Sequence, residues 1–379
     1  MADLSALTRP RLLAPGPVET DPRTMLALAA PQLHHRTPEA REIVLEARSR
    51  LSQLLGCDHE VLITTSSGTG AFEAALLSLV PEGARVLCAS AGKFGERWGD
   101  MAQALGYAVT RLERPWGETL DAGEVARAAP GHVALLITHS ETSTGVLHDL
   151  ENIARAAKEV NPELLILVDA VTSYAVAELC PAEWQLDAVI SGSQKGVAGP
   201  PGLGFVFLAP QVLPRLGANP RRYSLDLKKE LASQRKGETA QTPAINLIAS
   251  LLQSTRRLVD VPLQTLWAER KRVNDALLAA GIALGCRPFA ARPSPAVAAL
   301  VPPEGISGKQ VADALKSLGA QAAAGQAPYQ DDIFRLSLMG YFDRYDALAV
   351  AGLLEDALAN LGAKFERGAG VAAAWRALA

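Results

Sequence analysis

The chain has 379 residues, of which 49% are hydrophobic and 20% are charged, and its formal net charge is -3. A single hydrophobic core rarely grows beyond about 250–300 residues, so this length predicts two domains. The composition is that of a globular enzyme and excludes a disordered or fibrous chain, and the scattered basic residues offer no surface for a nucleic acid.

The sequence also bears on cellular location and metal binding. No run of about 18 apolar residues exists to cross a bilayer. The first residues, Met1–Ser5, lack a basic segment followed by an apolar one, so no signal peptide is predicted. The four cysteines are widely spaced, with no CxxC motif and no histidine pair at metal-ligand spacing. We therefore expect a cytoplasmic protein without a metal site.

The first half of the chain alternates between strand and helix patterns. The first 20 residues contain Pro10, Pro15, Gly16 and Pro17 and predict an extended arm. Apolar residues at helical spacing predict an amphipathic helix over 38–55. The predicted strands that follow are 61–64, 85–88, 107–112, 133–137, 164–169, 188–190 and 204–208, and the predicted helices are 71–79, 97–105, 122–128 and 150–159. This alternation predicts an α/β fold with a mainly parallel, seven-stranded sheet covered by helices.

The pattern changes after about residue 255. A long charged helix over 263–280 is followed by shorter elements at 296–301, 308–318, 333–338 and 345–361, which predict a smaller α+β domain. The alanine-rich tail, 368–379, is predicted to dock loosely. We therefore divide the chain into an N-terminal arm (1–20), a large domain (21–260) and a small C-terminal domain (261–379).

Polar and aromatic side chains follow several predicted strands at their carboxyl ends, where open α/β sheets bind ligands. Ser67-Gly68-Thr69-Gly70 opens a helix after the first of these strands, and the N–H groups and hydroxyls at such a helix start suit a phosphate. Phe94 lies between two glycines after the next strand, and a block rich in hydroxyls, 139–145, follows another. Asp169 ends one strand, and Lys195 follows a further strand 26 positions later.

Together these residue types suit pyridoxal phosphate. Its phosphate needs donors, its ring needs a face to stack on, its pyridine N–H needs a carboxylate, and its aldehyde needs a lysine amine. Taken singly, each residue has an ordinary structural explanation, such as helix capping for Ser67, core packing for Phe94 or a turn for Thr142. Their occurrence in this order favours a cofactor site.

The chain resembles the class V (fold type I) aminotransferases, most closely the alanine–glyoxylate and serine–pyruvate group. The resemblance runs from Leu13 to Ser337, nearly the whole chain. Its specific blocks are Ser67–Gly70, His139–Gly145, Val168–Val171 and Ser191–Lys195. It implies the fold type I arrangement, a large domain around the seven-stranded sheet with a smaller C-terminal α+β domain.

The resemblance also implies roles for individual residues. Those that would hold the cofactor are Ser67, Gly68, Thr69 and Gln194 at the phosphate, Phe94 and Val171 on the two ring faces, and Thr142 at the ring hydroxyl. Asp169 would pair with the ring nitrogen. Lys195 would form the internal aldimine and act as the general base. Thr242 would reach the phosphate in the other subunit, which implies a homodimer with shared active sites.

Two positions depart from the pattern of close relatives. The close relatives carry a tryptophan at the position of Phe94 and a tyrosine at the position of Thr239. Phe94 would still stack on the ring, with less area and no N–H donor. Thr239 lacks the aromatic contact to the phosphate. Because of both departures, the sequence defines the substrate less closely than it defines the cofactor.

Arg335 is the predicted ligand of the substrate carboxylate. An arginine in an apolar strand needs an anionic partner, and its planar fork matches a carboxylate bidentately. The alternative is an internal ion pair with Asp331 or Asp343. Backbone at Gly16 would shape the same pocket. An aspartate donor would need a second cation, for which the candidates are Arg36, Arg222 and Lys93.

The resemblance implies a ping-pong transaminase that moves the amino group of alanine or serine to glyoxylate or pyruvate through Lys195. Aspartate aminotransferase is the alternative within the family. A cysteine desulfurase-like lyase would need a reactive thiol near Arg335, where the sequence has none. A dinucleotide-binding oxidoreductase would need a third glycine where Glu73 stands. A binding protein without the cofactor would leave Lys195 and Asp169 without a role.

Overall fold

The computed structural model describes residues 9–379. Two predictions concern residues 1–8, namely the start of the extended arm and the absence of a signal peptide. Both lie outside the described range. Within the range, no helix combines the length and the apolar character that a membrane crossing requires.

The helices and strands follow the predicted alternation, and most of the predicted elements form within a few residues of their expected bounds. The strands are β1 Arg11–Leu12, β2 Glu60–Thr64, β3 Arg85–Ser90, β4 Ala108–Glu113, β5 Ala134–Thr138, β6 Ser140–Glu141, β7 Val146–Leu147, β8 Leu165–Asp169, β9 Ala188–Gly192, β10 Gly204–Leu208, β11 Arg287–Pro288, β12 Ala298–Val301, β13 Ala320–Gln321, β14 Ala323–Ala324 and β15 Phe334–Leu336. The helices are α1 Pro22–Leu28, α2 Pro38–Leu55, α3 Gly68–Leu79, α4 Lys93–Ala104, α5 Ala122–Ala128, α6 Leu150–Val160, α7 Leu227–Gln234, α8 Ile245–Val259, α9 Leu263–Ala283, α10 Gly308–Ser317, α11 Arg344–Asn360 and α12 Ala369–Leu378. Helices α1, α7, α8 and α12 have no counterpart among the predicted helices.

The central sheet has seven strands in the order β2-β10-β9-β8-β5-β3-β4. Strand β10 runs antiparallel to both of its neighbours, and the other pairs are parallel. The prediction of a mainly parallel seven-stranded sheet is therefore confirmed. Because β2, β3, β5, β8 and β9 run in the same direction, their carboxyl ends lie at one edge of the sheet, where ligands bind in folds of this class.

Helices cover both faces of this sheet, which explains why its central strands are apolar throughout. Every residue of β5 and β8 is buried. In β5, Leu135 and Ile137 pack towards α2, α5, α6 and α8, while Ala134 and Leu136 pack towards α3, α4 and α7. This alternation between two covered faces is the physical signature of a buried parallel sheet.

A second cluster of buried apolar side chains surrounds a four-stranded sheet in the order β11-β12-β15-β14. Helices α9, α10, α11 and α12 supply most of this cluster, and Leu13 of the arm joins it because β1 pairs with β13. The domain boundaries at residues 20 and 260 stay predictions. The separate clusters support them, although Leu266, at the start of α9, packs with the large-domain cluster.

The alanine-rich tail is a docked helix, so the expectation of loose docking was wrong. Helix α12 packs against α9 and α11, and its Ala374 and Leu378 are buried. The buried Glu355 carboxylate accepts hydrogen bonds from the N–H groups of Gly368, at 2.8 Å, and Val371, at 3.0 Å. A carboxylate at a helix start satisfies N–H groups that have no acceptor within the helix. No sequence periodicity reports such a long-range contact.

Two buried histidines near β5 predict acid sensitivity of the fold. Burial, reinforced by the charge of Arg292, lowers the pKa of His148 to about 4, and burial lowers that of His139 to about 3. Their pKa values are lower in the folded chain, so the stability they contribute is complete above about pH 6.5 and is lost as the pH falls. For His148 alone, we expect the free energy of unfolding to drop by about 1–2 kcal/mol between pH 7 and pH 5.

Urea unfolding at both pH values tests this expectation. The Nδ1 atom of His148 accepts the N–H of Leu120 at 3.2 Å. His148→Gln can keep an acceptor there and does not titrate, so it should lose part of the pH dependence. His34→Gln, at an exposed histidine, is the matched control. Equal pH dependence in wild type and His148→Gln would show that His148 is not the source.

Candidate active site

A cavity of about 290 Å³ lies at the sheet edge where the carboxyl ends of β2, β3, β5, β8 and β9 meet. Its lining residues are Gly16, Ser67, Gly68, Thr69, Phe94, Arg97, Trp98, Ser140, Thr142, Asp169, Val171, Thr172, Gln194 and Lys195. The structure thus brings together ten of the residues predicted from the sequence. Thr242 and Arg335 are the two predicted site residues that do not line this cavity. A larger cavity of about 590 Å³, between α8, α9 and residues 338–345, contains none of the predicted site residues.

Lys195 lies just after β9, and its amine faces the N-terminal arm. The Nζ atom donates a hydrogen bond to the carbonyl of Pro15. The next residue, Gly16, has a φ of +120°, a backbone conformation that favours glycine, and it lies close enough to Lys195 that a Cβ would be 2.6 Å from Cε. Burial lowers the pKa of Lys195 to about 8, the charges of Arg335 and Arg97 act in the same direction, and Asp169 opposes them. A large share of this amine is therefore unprotonated and nucleophilic in mildly basic solution.

Asp169 ends β8 and is buried, with 4% of its surface exposed. Burial raises the pKa of its carboxyl group to about 7, and the nearby Glu141 adds to the increase. Two hydrogen bonds oppose it: Oδ1 accepts the Val171 N–H and Oδ2 accepts the Trp98 indole N–H, both at 2.8 Å. A buried carboxyl group with a pKa of about 7 is suited to sharing a proton with a ligand nitrogen.

The start of α3 forms a polar end of the cavity. Ser67 caps the helix by accepting the Gly70 N–H at 3.3 Å, and the first N–H groups of any helix have no acceptor within it. A Cβ at Gly68 would lie 2.8 Å from Cγ2 of Val171, so glycine permits the close approach of the two loops. Nearby, Oε1 of Gln194 is buried and has no partner among residues 9–379. Free helix N–H groups and hydroxyls fit a bound phosphate group, and Gln194 would contribute by turning its NH2 group, rather than the acceptor Oε1, towards it.

Glu141 fixes the loop that carries Phe94, a role that was not predicted from the sequence. Its buried carboxylate accepts the N–H groups of Phe94, Gly95 and Ser143, each at 3.0 Å. Burial raises the pKa of Glu141, and the hydrogen bonds, that of the Ser143 hydroxyl foremost, oppose the increase. The carboxylate therefore ties the start of α4 to the turn that carries Thr142. The sequence offered no local signal for this contact, since Glu141 lies 47 and 46 positions from Phe94 and Gly95.

Two further side chains of α4, Arg97 and Trp98, also line the cavity and were missed. The predicted helix began at residue 97, whereas α4 begins at Lys93. Because α4 starts earlier, Phe94 shares one helix face with Arg97 at i+3 and Trp98 at i+4. The exposed Arg97 places its guanidinium 4.7 Å from the centre of the Phe94 ring and forms no ion pair with a carboxylate in the described part of the chain.

Arg335 lies on β15 behind the cavity and is buried, with 6% of its surface exposed. Its Nη1 donates to the carbonyl of Thr142 at 2.9 Å, and its Nε and Nη2 donate to the carbonyl of Ala324 at 3.0 and 2.8 Å. Over residues 9–379 no carboxylate lies within ion-pair distance, so the alternative of an internal ion pair is wrong; Asp343 instead caps α11. Burial lowers the pKa of Arg335 to about 10, and the charge of Glu141 opposes the decrease. A buried guanidinium without an anionic partner suits an anionic ligand.

The candidates for a second cation lie elsewhere. Arg36 pairs with Glu238 at 3.5 Å, Arg222 pairs with Asp226 at 3.5 Å, and Lys93 pairs with Glu96 at 3.7 Å. None of the three lines the Lys195 cavity, whereas Arg97 does.

Thr242 lines a separate pocket of about 90 Å³ together with Thr239. The Thr239 hydroxyl donates to the carbonyl of Gln241 at 2.5 Å. The placement of Thr242 beside the phosphate of another subunit stays a prediction.

The cysteines give no support to a desulfurase. None of the four, all of which lie in the described range, lines the cavity. Burial raises the pKa of Cys286, the cysteine of the small domain, to about 12. A thiol of this kind is protonated at neutral pH and is a poor nucleophile.

Known proteins match this chain over nearly its whole length. The family model described as Aminotransferase class-V matches residues 23–346. A Synechococcus protein named soluble hydrogenase, small subunit, is 37% identical over 378 residues, which cover 97% of this chain and 98% of that protein. The L-aspartate–glyoxylate aminotransferase of Paracoccus denitrificans is 31% identical over 376 residues, or 96% of this chain and 94% of the relative. The crystal structure of an aspartate aminotransferase from Thermus thermophilus superposes with a TM-score of 0.88 at 46% identity, covering 92% of this chain and 99% of that one.

Proposed function

Because this chain belongs to the class-V aminotransferases, we propose that it moves the amino group of a small amino acid, alanine or serine, to glyoxylate or pyruvate. The family uses pyridoxal phosphate, so the chain is a pyridoxal phosphate-dependent aminotransferase. The observation that carries the proposal is the cavity itself, in which the Lys195 amine, the Asp169 carboxyl group and the start of α3 meet. About 290 Å³ for cofactor and substrate together leaves room for a small donor.

The residues present fit the cofactor. We assign its phosphate to the start of α3 and Gln194, and its ring to the space between Phe94 and Val171. Thr142 is the assigned partner of the ring hydroxyl. When bound, pyridoxal phosphate supplies an aldehyde that takes up the donor amino group and a ring that withdraws electrons from the adjacent carbon.

The chain's own residues supply the rest of the reaction. Arg335 binds the donor carboxylate and orients the Cα–H bond towards Lys195. The Nζ atom of Lys195, unprotonated in part because burial lowers its pKa, would take that proton as a general base and deliver it to the cofactor carbon that carried the aldehyde. Asp169 holds a proton on the ring nitrogen. The donor leaves as its 2-oxo acid, and the acceptor then takes the same amino group and leaves as an amino acid. Because the first product leaves before the acceptor binds, the kinetics are ping-pong.

The assembly and location remain proposals. We assign a homodimer in which Thr242 of each chain reaches the phosphate site of the other. Support comes from the position of Thr242 outside the cavity of its own chain, in a pocket that also includes Thr64 and Thr65 at the end of β2. Light scattering of the holoenzyme tests the dimer, and fractionation of the source cells tests the cytoplasmic location.

Aspartate is the second candidate donor, because Arg97 places a second cation at the cavity. Its guanidinium, without a carboxylate partner in residues 9–379, would receive the side-chain carboxylate. The relatives from Paracoccus and Thermus, named for aspartate, are consistent with this candidate.

Half-reactions with alanine, serine and aspartate, each followed by the change in cofactor absorption, decide between the donors. If aspartate is used, we expect Arg97→Met to raise its KM about 10- to 100-fold, the equivalent of about 1.5–3 kcal/mol for a charged hydrogen bond. The KM for alanine should stay unchanged. Arg36→Met, which removes an arginine outside the cavity, is the matched control. If none of the three amino acids in the panel is converted, the proposed function is refuted.

A further inference from the structure

Trp98 makes a contact that no role assigned so far explains. Its indole N–H donates to Oδ2 of Asp169 at 2.8 Å, while Oδ1 accepts the backbone N–H of Val171 at the same distance. Both partners are buried, with 2% of Trp98 and 4% of Asp169 exposed. Two donors on two different oxygens fix the plane of the carboxylate.

The direction of the indole N–H is itself fixed by packing. The Trp98 ring stacks on Phe72 of α3, with ring centres 4.1 Å apart and an angle of 11° between the planes. The indole is therefore held between α3 and α4, on the same helix face as Phe94. One turn of α4 thus carries both the predicted stacking side chain and a donor to the predicted partner of the ring nitrogen.

The hydrogen bond also opposes the electrostatic effect of burial. Desolvation and the neighbouring Glu141 favour the neutral carboxylic acid, whereas the donors Val171 and Trp98 and the charge of Lys195 favour the carboxylate. A neutral acid cannot stabilise a protonated pyridine. The indole N–H therefore acts on the same property of Asp169 that the cofactor needs.

We propose that Trp98 is a positioning residue that holds Asp169 charged and in one plane, ready to accept the N–H of the cofactor's pyridine ring. The proposal rests on the cofactor-binding role of Asp169 in the proposed function. It concerns the binding of the cofactor and not the choice of donor, so it can be tested without any amino acid substrate.

The test is the variant Trp98→Phe, which keeps an aromatic ring against Phe72 and removes the N–H. Cofactor-free protein is titrated with pyridoxal phosphate over a range of pH. We expect affinity to fall about tenfold near neutral pH, and the pH below which binding weakens to rise by about one unit. In the loaded enzyme, kcat should fall while the KM of the amino acid stays the same.

Trp116→Phe is the matched control, because the Trp116 indole N–H donates to Glu96 at 2.7 Å and lies outside the cavity. It should leave cofactor affinity and its pH dependence unchanged. If Trp98→Phe does not fold, Phe72→Leu, which loosens the stack but keeps the N–H, should show a smaller shift in the same direction.

A double-mutant cycle with Asp169→Asn separates a direct effect from a general one. In that background, Trp98→Phe should cause no further shift of the pH dependence. Wild-type affinity and pH dependence in Trp98→Phe, or an equal shift with and without Asp169, would overturn the proposal. This test is independent of the donor panel. A protein that binds the cofactor but transaminates nothing would refute the proposed function and leave the proposal for Trp98 standing.

Discussion

Lys195→Ala is expected to abolish transamination, lowering kcat by at least about 10⁴-fold, the upper end of what a positioned general base supplies. Two contributions are lost together, the amine that binds the cofactor aldehyde and the base that moves the donor's Cα proton. Alanine also removes the hydrogen bond to the carbonyl of Pro15. Since the start of α3 and Phe94 are untouched, the variant should still bind pyridoxal phosphate, but without a covalent link.

Borohydride reduction followed by peptide mapping tests this prediction directly. Reduction converts a lysine–cofactor link into a stable C–N bond, so wild-type protein should carry the label on Lys195 and the variant should carry none. Lys93→Ala is the control, because Lys93 is exposed, pairs with Glu96 and lies outside the cavity. It should keep both label and turnover. Normal transamination by Lys195→Ala would rule out the assigned role of Lys195.

The cavity was predictable from chain order because of a property of parallel sheets. Five site residues each lie at or after the end of a different strand, and the sequence shows only that each comes at or after the end of an apolar run: Ser67, Phe94, Thr142, Asp169 and Lys195. Once the strands run in the same direction, their carboxyl ends must share one edge. The structure confirms the parallel arrangement and places all five side chains in one cavity.

Helix α4 shows where sequence reasoning failed. Gly92 and Gly95 interrupt the apolar pattern, and so the predicted helix began four residues late, at residue 97. What starts the helix at Lys93 is the buried carboxylate of Glu141, which accepts two N–H groups of its first turn. That contact joins residues 46 and 47 positions apart, and no local propensity encodes it. The late start concealed the face that Arg97 and Trp98 share with Phe94.

Arg335 shows a different limit. Its strand was predicted, and so was its need for an anion, but its surroundings depend on contacts with residues 193 and 11 positions away. The carbonyls of Thr142 and Ala324 hold the guanidinium, and neither contact is readable from a strand pattern. Only the structure shows that these neutral acceptors leave the positive charge without a carboxylate partner among residues 9–379.

Arg335→Lys is expected to lower kcat/KM for every amino acid donor about 30- to 1,000-fold, mainly through KM. The range corresponds to about 2–4 kcal/mol for truncating one partner of a buried charge pair. Lysine keeps the charge but presents a single ammonium group, which cannot hold Thr142, Ala324 and a substrate carboxylate at once. Steady-state kinetics with the best donor, together with the cofactor affinity, measure the effect.

A loss of stability alone would mimic part of this result, and Arg270→Lys provides the comparison. The Arg270 guanidinium also bonds two backbone carbonyls, those of Leu338 and Gly340 at 3.1 and 3.4 Å, and burial lowers its pKa to about 10, as for Arg335. It lines the larger cavity and not the one around Lys195. Both variants should therefore lose a similar amount of unfolding free energy, while only Arg335→Lys should raise KM. If KM rises equally in both, Arg335 supports the fold and another group binds the substrate carboxylate.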